Sequence, residues 1–159
     1  MILVIDASTL INLANGEVLT EILQLSEFSF QVSRVVRGES KTIAQAIDAA
    51  VKAGHIGLVD DGLISVSQFK QAKASMLLDD GETECILAAE VIGCAVACDD
   101  GAARKVISAR LGTDRLSGSI GLLRCAVDAG AIDRLHAFSA YRLMRKRGGF
   151  LPVLNEGDF

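Results

Sequence analysis

Two periodicities of apolar residues divide the chain into alternating strand and helix segments. Residues 1–5 form a continuous apolar run that stops at Asp6, a pattern typical of a buried parallel strand. The other predicted strands are 28–32, 63–66, 94–98, a short one closing at Leu116, and an edge strand at 150–154. The predicted helices are 8–13 capped by Ser8, 17–25, 33–39 capped by Ser33, 42–53, 81–92, 102–111, 118–129 and 133–146.

Strands that alternate with helices through short glycine turns predict an α/β fold with a parallel sheet flanked by helices. The chain has 159 residues, of which 50% are hydrophobic, so one domain over residues 1–159 with a full core is expected. Ligands of such folds bind beyond the carboxyl ends of the strands.

Five acidic residues lie where predicted strands end or helices begin: Asp6, Glu39, Glu82, Asp99 and Asp100. Carboxylates that gather at one sheet edge repel one another unless a cation is present. Oxygen ligands of this kind favour Mg²⁺ or Mn²⁺. The pattern therefore predicts a metal site and phosphodiester chemistry, with these five residues as the catalytic candidates.

Each acid also has a simpler explanation. Asp6 can cap the helix that follows it, and Asp99 and Asp100 can be a helix cap and a surface acid. Glu82 lies in a first helical turn, where the helix dipole favours a negative charge, and a glutamate such as Glu39 on a short helix is usually solvated. These alternatives stay open at the level of sequence.

Several other chemistries have no support in the chain. There is no GxSxG elbow, no phosphate-binding P-loop and no GxGxxG turn, and the two histidines, His55 and His136, lie outside the acidic segments. The four scattered cysteines are expected to be reduced core thiols. An aromatic content of 4% argues against an aromatic base-stacking platform. No long uncharged apolar stretch and no basic leader are present, which predicts a cytoplasmic protein without a membrane span.

Charge is distributed unevenly around a net value of −4. Residues 1–100 carry 15 acidic and 6 basic side chains, a net charge of −9, whereas residues 101–159 carry a net charge of +5. This asymmetry fits an acidic site beside a basic surface for nucleic acid, although solvated helix faces or a protein partner would explain the basic residues equally well.

The order of the motifs resembles the PIN-domain family, close to its VapC-type ribonucleases. The motifs are Val4-Ile-Asp-Ala-Ser8, Val35-Val-Arg-Gly-Glu39, Gly81-Glu-Thr-Glu-Cys-Ile-Leu-Ala-Ala-Glu90, Ala97-Cys-Asp-Asp-Gly-Ala-Ala-Arg104, Gly118-Ser-Ile-Gly-Leu-Leu123 and Gly149-Phe150. The resemblance implies a PIN-like, Rossmannoid three-layer sandwich in which Asp6, Glu39, Glu82 and Asp99 hold Mg²⁺ or Mn²⁺, with Asp100 as the alternative fourth ligand. It also implies a hydroxyl near the site that contacts the substrate, from Ser8 or Ser119. Cys98 replaces the threonine that usually precedes the fourth acid.

The function that the acidic residues and the resemblance together imply is that of a metal-dependent endoribonuclease. Arg104 is the candidate phosphate contact, or else it pairs with Asp99 or Asp100. The resemblance further implies a toxin role with an antitoxin protein over the acidic groove. The apolar helices 42–53 and 118–129 suggest a homodimer. Two alternatives remain: a non-catalytic PIN scaffold that binds RNA or protein, and an Asp-based phosphatase or phospho-acceptor domain.

Overall fold

The computed structural model describes all 159 residues. Its strands are β1 (Ile2–Ile5), β2 (Ser29–Val32), β3 (Ile56–Leu58), β4 (Ala95–Ala97) and β5 (Leu116–Ser117). Its helices are α1 (Ala7–Asn15), α2 (Leu19–Leu23), α3 (Arg34–Glu39), α4 (Ala44–Lys52), α5 (Val66–Met76), α6 (Asp80–Ile92), α7 (Gly101–Leu111), α8 (Ser119–Asp128) and α9 (Arg134–Lys146).

The five strands form one sheet in the order β3-β2-β1-β4-β5, and every pair is parallel. All three residues of β4 and the last three of β1 are buried, because helices cover the centre of the sheet on both faces. The predicted parallel α/β fold is therefore confirmed. The strand order also differs from the 2-1-3-4-5 order of phospho-acceptor receiver domains.

Nine helices flank the sheet in a three-layer, PIN-like arrangement. Helices α1, α8 and α9 pack against one another, while α6 packs against β1 and β4 and contacts α3, α5 and α7. A continuous core of 39 buried hydrophobic residues joins the layers. No helix is both long enough and apolar enough to cross a membrane.

The predicted strand at 63–66 is wrong. The third strand lies earlier, at Ile56–Leu58, and Ser65 instead caps a helix that the sequence analysis missed. The Ser65 amide donates to Gln68 Oε1 at 2.9 Å, and the Gln68 amide donates to Ser65 Oγ at 3.3 Å. This reciprocal capping box is a strong helix start, and it outweighs the short apolar run before it.

The predicted edge strand at 150–154 is also wrong. The segment pairs with no strand. It lies instead over the Tyr141 hydroxyl, which donates to the Pro152 carbonyl at 2.5 Å and accepts from the Leu154 amide at 2.9 Å. A side chain on α9 thus satisfies main-chain groups that a neighbouring strand would otherwise pair with.

Candidate acidic active site

The first carboxylates lie where the two central strands end. β1 and β4 pair with Ile5 opposite Ala97, and the Asp6 amide donates to the Ala97 carbonyl at 2.9 Å. Asp6 directly follows β1, while Asp99 and Asp100 follow β4 after a single intervening residue. Because parallel strands direct their carboxyl ends to the same edge, these acids share one edge of the sheet.

Asp6 is both a helix cap and a candidate ligand. It is only 3% exposed, and its Oδ2 accepts hydrogen bonds from the Ser8 amide at 3.1 Å, the Ser8 hydroxyl at 2.6 Å and the Cys98 thiol at 3.5 Å. The amide bond caps α1, so the prediction that Ser8 caps this helix is wrong. Oδ1 of Asp6 accepts no hydrogen bond from the protein.

Glu39 reaches the site from the last residue of α3, a helix that Ser33 caps as predicted by accepting from the Val36 amide. Its Oε1 accepts from the Gly81 amide at 3.2 Å, and Oε2 has no partner in the protein. A Cβ at position 81 would collide with Oε2 of Glu39. Glycine at this position therefore allows the start of α6 to approach the carboxylate.

Glu82 lies in the first turn of α6, where it completes a helix cap. Its Oε2 accepts from the Asp79 amide at 3.1 Å, while Oε1 has no hydrogen-bond partner. Helix capping thus explains the role of one oxygen of Glu82, as it explains the role of one oxygen of Asp6.

The pKa values of two of these acids are raised. Burial is the largest cause of the raised pKa of Glu39, and the charge of Asp6 adds to it, whereas the hydrogen bond from Gly81 opposes it. Burial likewise raises the pKa of Glu82, and the charges of Asp100 and Asp6 add to the effect against a main-chain hydrogen bond. The negative charge of Asp6 therefore disfavours the ionisation of both glutamates, in addition to the effect of burial.

Asp99 is held by the protein on both oxygens. Oδ2 accepts from the Asn12 amide group at 2.7 Å and from the Ser119 hydroxyl, and Oδ1 accepts from the Ser119 main-chain amide at 2.9 Å. A Cβ on Gly118 would collide with Oδ1, so glycine is required where α8 begins. These contacts give Asp99 a structural role between β4, α1 and α8.

Asp100 differs from its neighbour because one of its oxygens remains free. Oδ1 accepts from the Ala102 and Ala103 amides at 2.8 and 2.9 Å and caps α7, while Oδ2 accepts no hydrogen bond from the protein. The charge of Asp100 also acts on Glu82. The choice between Asp99 and Asp100, which the sequence left open, therefore favours Asp100 as the acid facing the other carboxylates.

The two predicted substrate hydroxyls both bind carboxylate groups of the site. Ser8 Oγ donates to Asp6 Oδ2 and accepts from the Asp99 amide at 3.0 Å, so it connects the ends of β1 and β4. Ser119 is fully buried against Asp99. Both side chains orient the acids, and their contact with a substrate stays a prediction. Asn12 was missed, although it lies one helical turn after Ser8 on the same face of α1.

Arg104 does not pair with Asp99 or Asp100 as the sequence analysis allowed. Its Nη1 donates to the carbonyls of Cys98 and Ser117, both at 2.6 Å. The guanidinium thus ties the ends of β4 and β5 together.

Cys98 provides a weak donor within the site. Its thiol is almost completely buried, and burial together with the charge of Asp6 raises its pKa far above the ordinary thiol value. It therefore stays protonated and donates to Asp6, but a thiol is a weaker donor than the threonine hydroxyl it replaces.

The donor set fits a hard divalent cation. Asp6, Glu39, Glu82 and Asp100 each have one oxygen bound by the protein and one oxygen without a hydrogen bond. As these side chains stand, no three of them converge closely enough to share one ion. Binding would require rotation of the exposed members, above all Glu39 at the end of its helix.

A family model described as a PIN domain matches residues 2–152, and the chain belongs to the PIN-domain family. PIN domains are generally nucleases, so the fold is of a nuclease type. Searches among curated proteins and among solved structures found no match.

Proposed function

We propose that the protein is a metal-dependent endoribonuclease that hydrolyses phosphodiester bonds of RNA. The observation that carries the proposal is the hydrogen-bonding pattern that four carboxylates, those of Asp6, Glu39, Glu82 and Asp100, have in common. Each has one oxygen fixed by a main-chain amide and one that no protein donor occupies. Capping alone does not explain why four such acids lie at one sheet edge. Burial raises the pKa of Glu39 and of Glu82 there, and the charge of Asp6 adds to the rise in both.

Mg²⁺ or Mn²⁺ would be held by Asp6, Glu39, Glu82 and Asp100. Bound there, the ion would supply Lewis acidity toward the phosphate and an activated water. The protein orients the carboxylates. The Ser8 hydroxyl and the Cys98 thiol donate to Asp6 Oδ2, and main-chain amides at the starts of helices bind one oxygen of each of the other three acids. We assign the fourth ligand to Asp100 rather than to the predicted Asp99, because both oxygens of Asp99 already accept hydrogen bonds from Asn12 and Ser119.

The absence of a nearby histidine is consistent with this chemistry. His55 precedes β3, at the amino end of a strand and therefore at the edge of the sheet opposite the acids. His136 lies in the first turn of α9. No histidine is positioned as a general base, which is the task that an activated water removes.

A non-catalytic PIN scaffold that binds RNA is the second candidate. The carboxylates do not converge as they stand, and the thiol of Cys98 is a weak donor to Asp6, which favour this alternative. Incubation of labelled RNA with Mn²⁺, Mg²⁺ or EDTA distinguishes the two functions. The proposal requires cleavage by the wild type with metal and none by Asp6→Asn. Metal-independent cleavage, or binding without cleavage, would refute it.

A toxin role with an antitoxin partner is a further proposal that rests on the family resemblance. Induced expression of the wild type alone should then stop growth, and Asp6→Asn should not. Equal growth of both strains would remove the toxin role without affecting the nuclease.

A further inference from the structure

A cleft of about 640 Å³ opens beside the acidic site and shares Asp99 with it. Arg104 on α7 and Ser117 of β5 line one part of it, and Arg124 on α8 lines another. The opposite wall is formed by Phe150 and its neighbours in the C-terminal strap, which we define as residues 148–159. The volume lies within the roughly 300–1,000 Å³ range of small-molecule sites.

The strap is fixed in place along its length. The Tyr141 hydroxyl binds the main chain at Pro152 and Leu154. Further along, Arg124 Nε donates to the Asp158 carbonyl at 2.8 Å, and Phe159 is buried against the aromatic rings of α9. The main chain of the strap from Pro152 to Phe159 is therefore held against α8 and α9.

Phe150 is fully exposed on the wall of the cleft that the strap forms. The residue is 100% exposed, the highest value among the large hydrophobic residues of the chain. The chain contains only six phenylalanines, one tyrosine and no tryptophan. The low aromatic content argued against a stacking surface, but one exposed ring at the mouth of a cleft is sufficient for a single base.

The same cleft carries positive charge. Arg124 uses only Nε within the protein, which leaves both of its Nη atoms without a hydrogen bond. Arg104 binds main-chain carbonyls and forms no ion pair, although Asp99 lines the same cleft. Neither arginine takes part in a salt bridge. An anionic ligand is therefore favoured at a position directly beside the acidic site.

We propose that this cleft binds one unpaired nucleotide of single-stranded RNA next to the phosphate at the acidic site, with its base on Phe150 and its phosphate at Arg124. The proposal rests on the proposed function for the identity of the strand. An aromatic ring, a cationic side chain and continuity with the carboxylates together match the base, the phosphate and the direction of such a strand. An acidic peptide would use the arginines but would not need the ring.

The test compares two short fluorescein-labelled probes in EDTA, where metal-dependent cleavage is stopped. One is oligouridine, and the other is an oligomer of abasic ribose phosphates of the same length. Loss of a base–aromatic stack usually weakens binding roughly 5- to 150-fold. Phe150→Ala should therefore weaken oligouridine binding by about 5-fold or more, and leave the abasic probe unaffected. Val153→Ala, a change at an exposed strap residue outside the cleft, should affect neither probe.

The arginine is tested with a second set of variants. Arg124→Gln should weaken both probes and reduce the salt dependence of binding. Arg134→Gln, an exposed residue on α9, is the control and should have a smaller effect. Because Arg124 also holds the strap, Arg124→Lys separates the two roles: retained charge should restore part of the affinity for both probes, and failure to do so assigns the effect to the strap.

The outcomes distinguish this subsite from the nuclease proposal. Equal effects of Phe150→Ala on both probes, no effect on either, or no binding of oligouridine by the wild type would overturn the subsite. A protein that discriminates the probes through Phe150 but never cleaves RNA would support the subsite and refute the nuclease. A protein that cleaves RNA without a Phe150 effect would do the reverse.

Discussion

Replacement of Asp6 by Asn tests whether the acids form a metal site or only cap helices. The substitution keeps an oxygen that can accept from the Ser8 amide, and Asn caps helices about as well as Asp. It removes the charge that acts on Glu39 and Glu82 but weakens the hydrogen bonds from Ser8 and Cys98. Because these effects oppose each other, we expect the metal-free thermal midpoint to stay within about 4 °C of the wild type.

The response to metal should differ much more. A ligand at about 100 times its dissociation constant stabilises a folded protein by about 2.7 kcal/mol. For a domain of this size, that corresponds to a rise in thermal midpoint of roughly 5–11 °C. The wild type should show such a rise with Mn²⁺, and Asp6→Asn should lose most of it, because the carboxylate oxygen with no protein donor is gone.

Asp133→Asn is the matched control in differential scanning fluorimetry. Asp133 also caps a helix, since it accepts from the His136 amide at 2.7 Å at the start of α9, and α9 carries none of the five candidate acids. Its variant should keep the full rise with Mn²⁺. An identical metal response of wild type and Asp6→Asn would refute the metal site and leave Asp6 as a structural cap.

Three further results are expected. Because the pKa of Glu82 is raised in the metal-free folded state, that state binds more protons than the unfolded state. The free energy of unfolding of the wild type, relative to that of Glu82→Gln, should therefore fall as the pH rises from the ordinary pKa of 4.5 through the raised pKa. Denaturant titrations across this pH range test the sign, and a difference that rises with pH would contradict the prediction. Gly81→Ala should displace Glu39 and reduce both cleavage and the Mn²⁺-induced rise in midpoint, whereas Gly38→Ala, whose added Cβ meets nothing within 4 Å, should leave both intact. Arg104→Gln should lower the midpoint by roughly 3–12 °C, since charge-assisted hydrogen bonds contribute about 1.5–3 kcal/mol, and an unchanged midpoint would show that the tie between β4 and β5 is dispensable.

Periodicity and glycine turns were sufficient to predict the parallel α/β architecture. The apolar runs that end at Asp6 and Asp99 indicated both central strands, because strands buried on two faces are continuous in their hydrophobicity. The third strand was misplaced because it lacks such a continuous apolar run. At Ile56–Leu58 it is short and partly exposed, so its pattern is weaker than that of the loop residues that follow it. The homodimer remains a prediction from composition.

The sequence by itself indicated that Asp6, Asp99 and Asp100 reach the edge of the sheet, since they closely follow β1 and β4 in the chain. Glu39 instead arrives there from the end of α3. Only the tertiary structure decided what their oxygens do. Asp99 and Asp100 are adjacent and chemically identical in the sequence, yet Asn12 and Ser119, distant along the chain, bind both oxygens of Asp99 and neither oxygen of Asp100. Long-range packing sets such contacts, and local propensity carries no information about them. The cleft beside Phe150 has the same origin, because it exists only where the strap crosses α9 and meets β5 and α8.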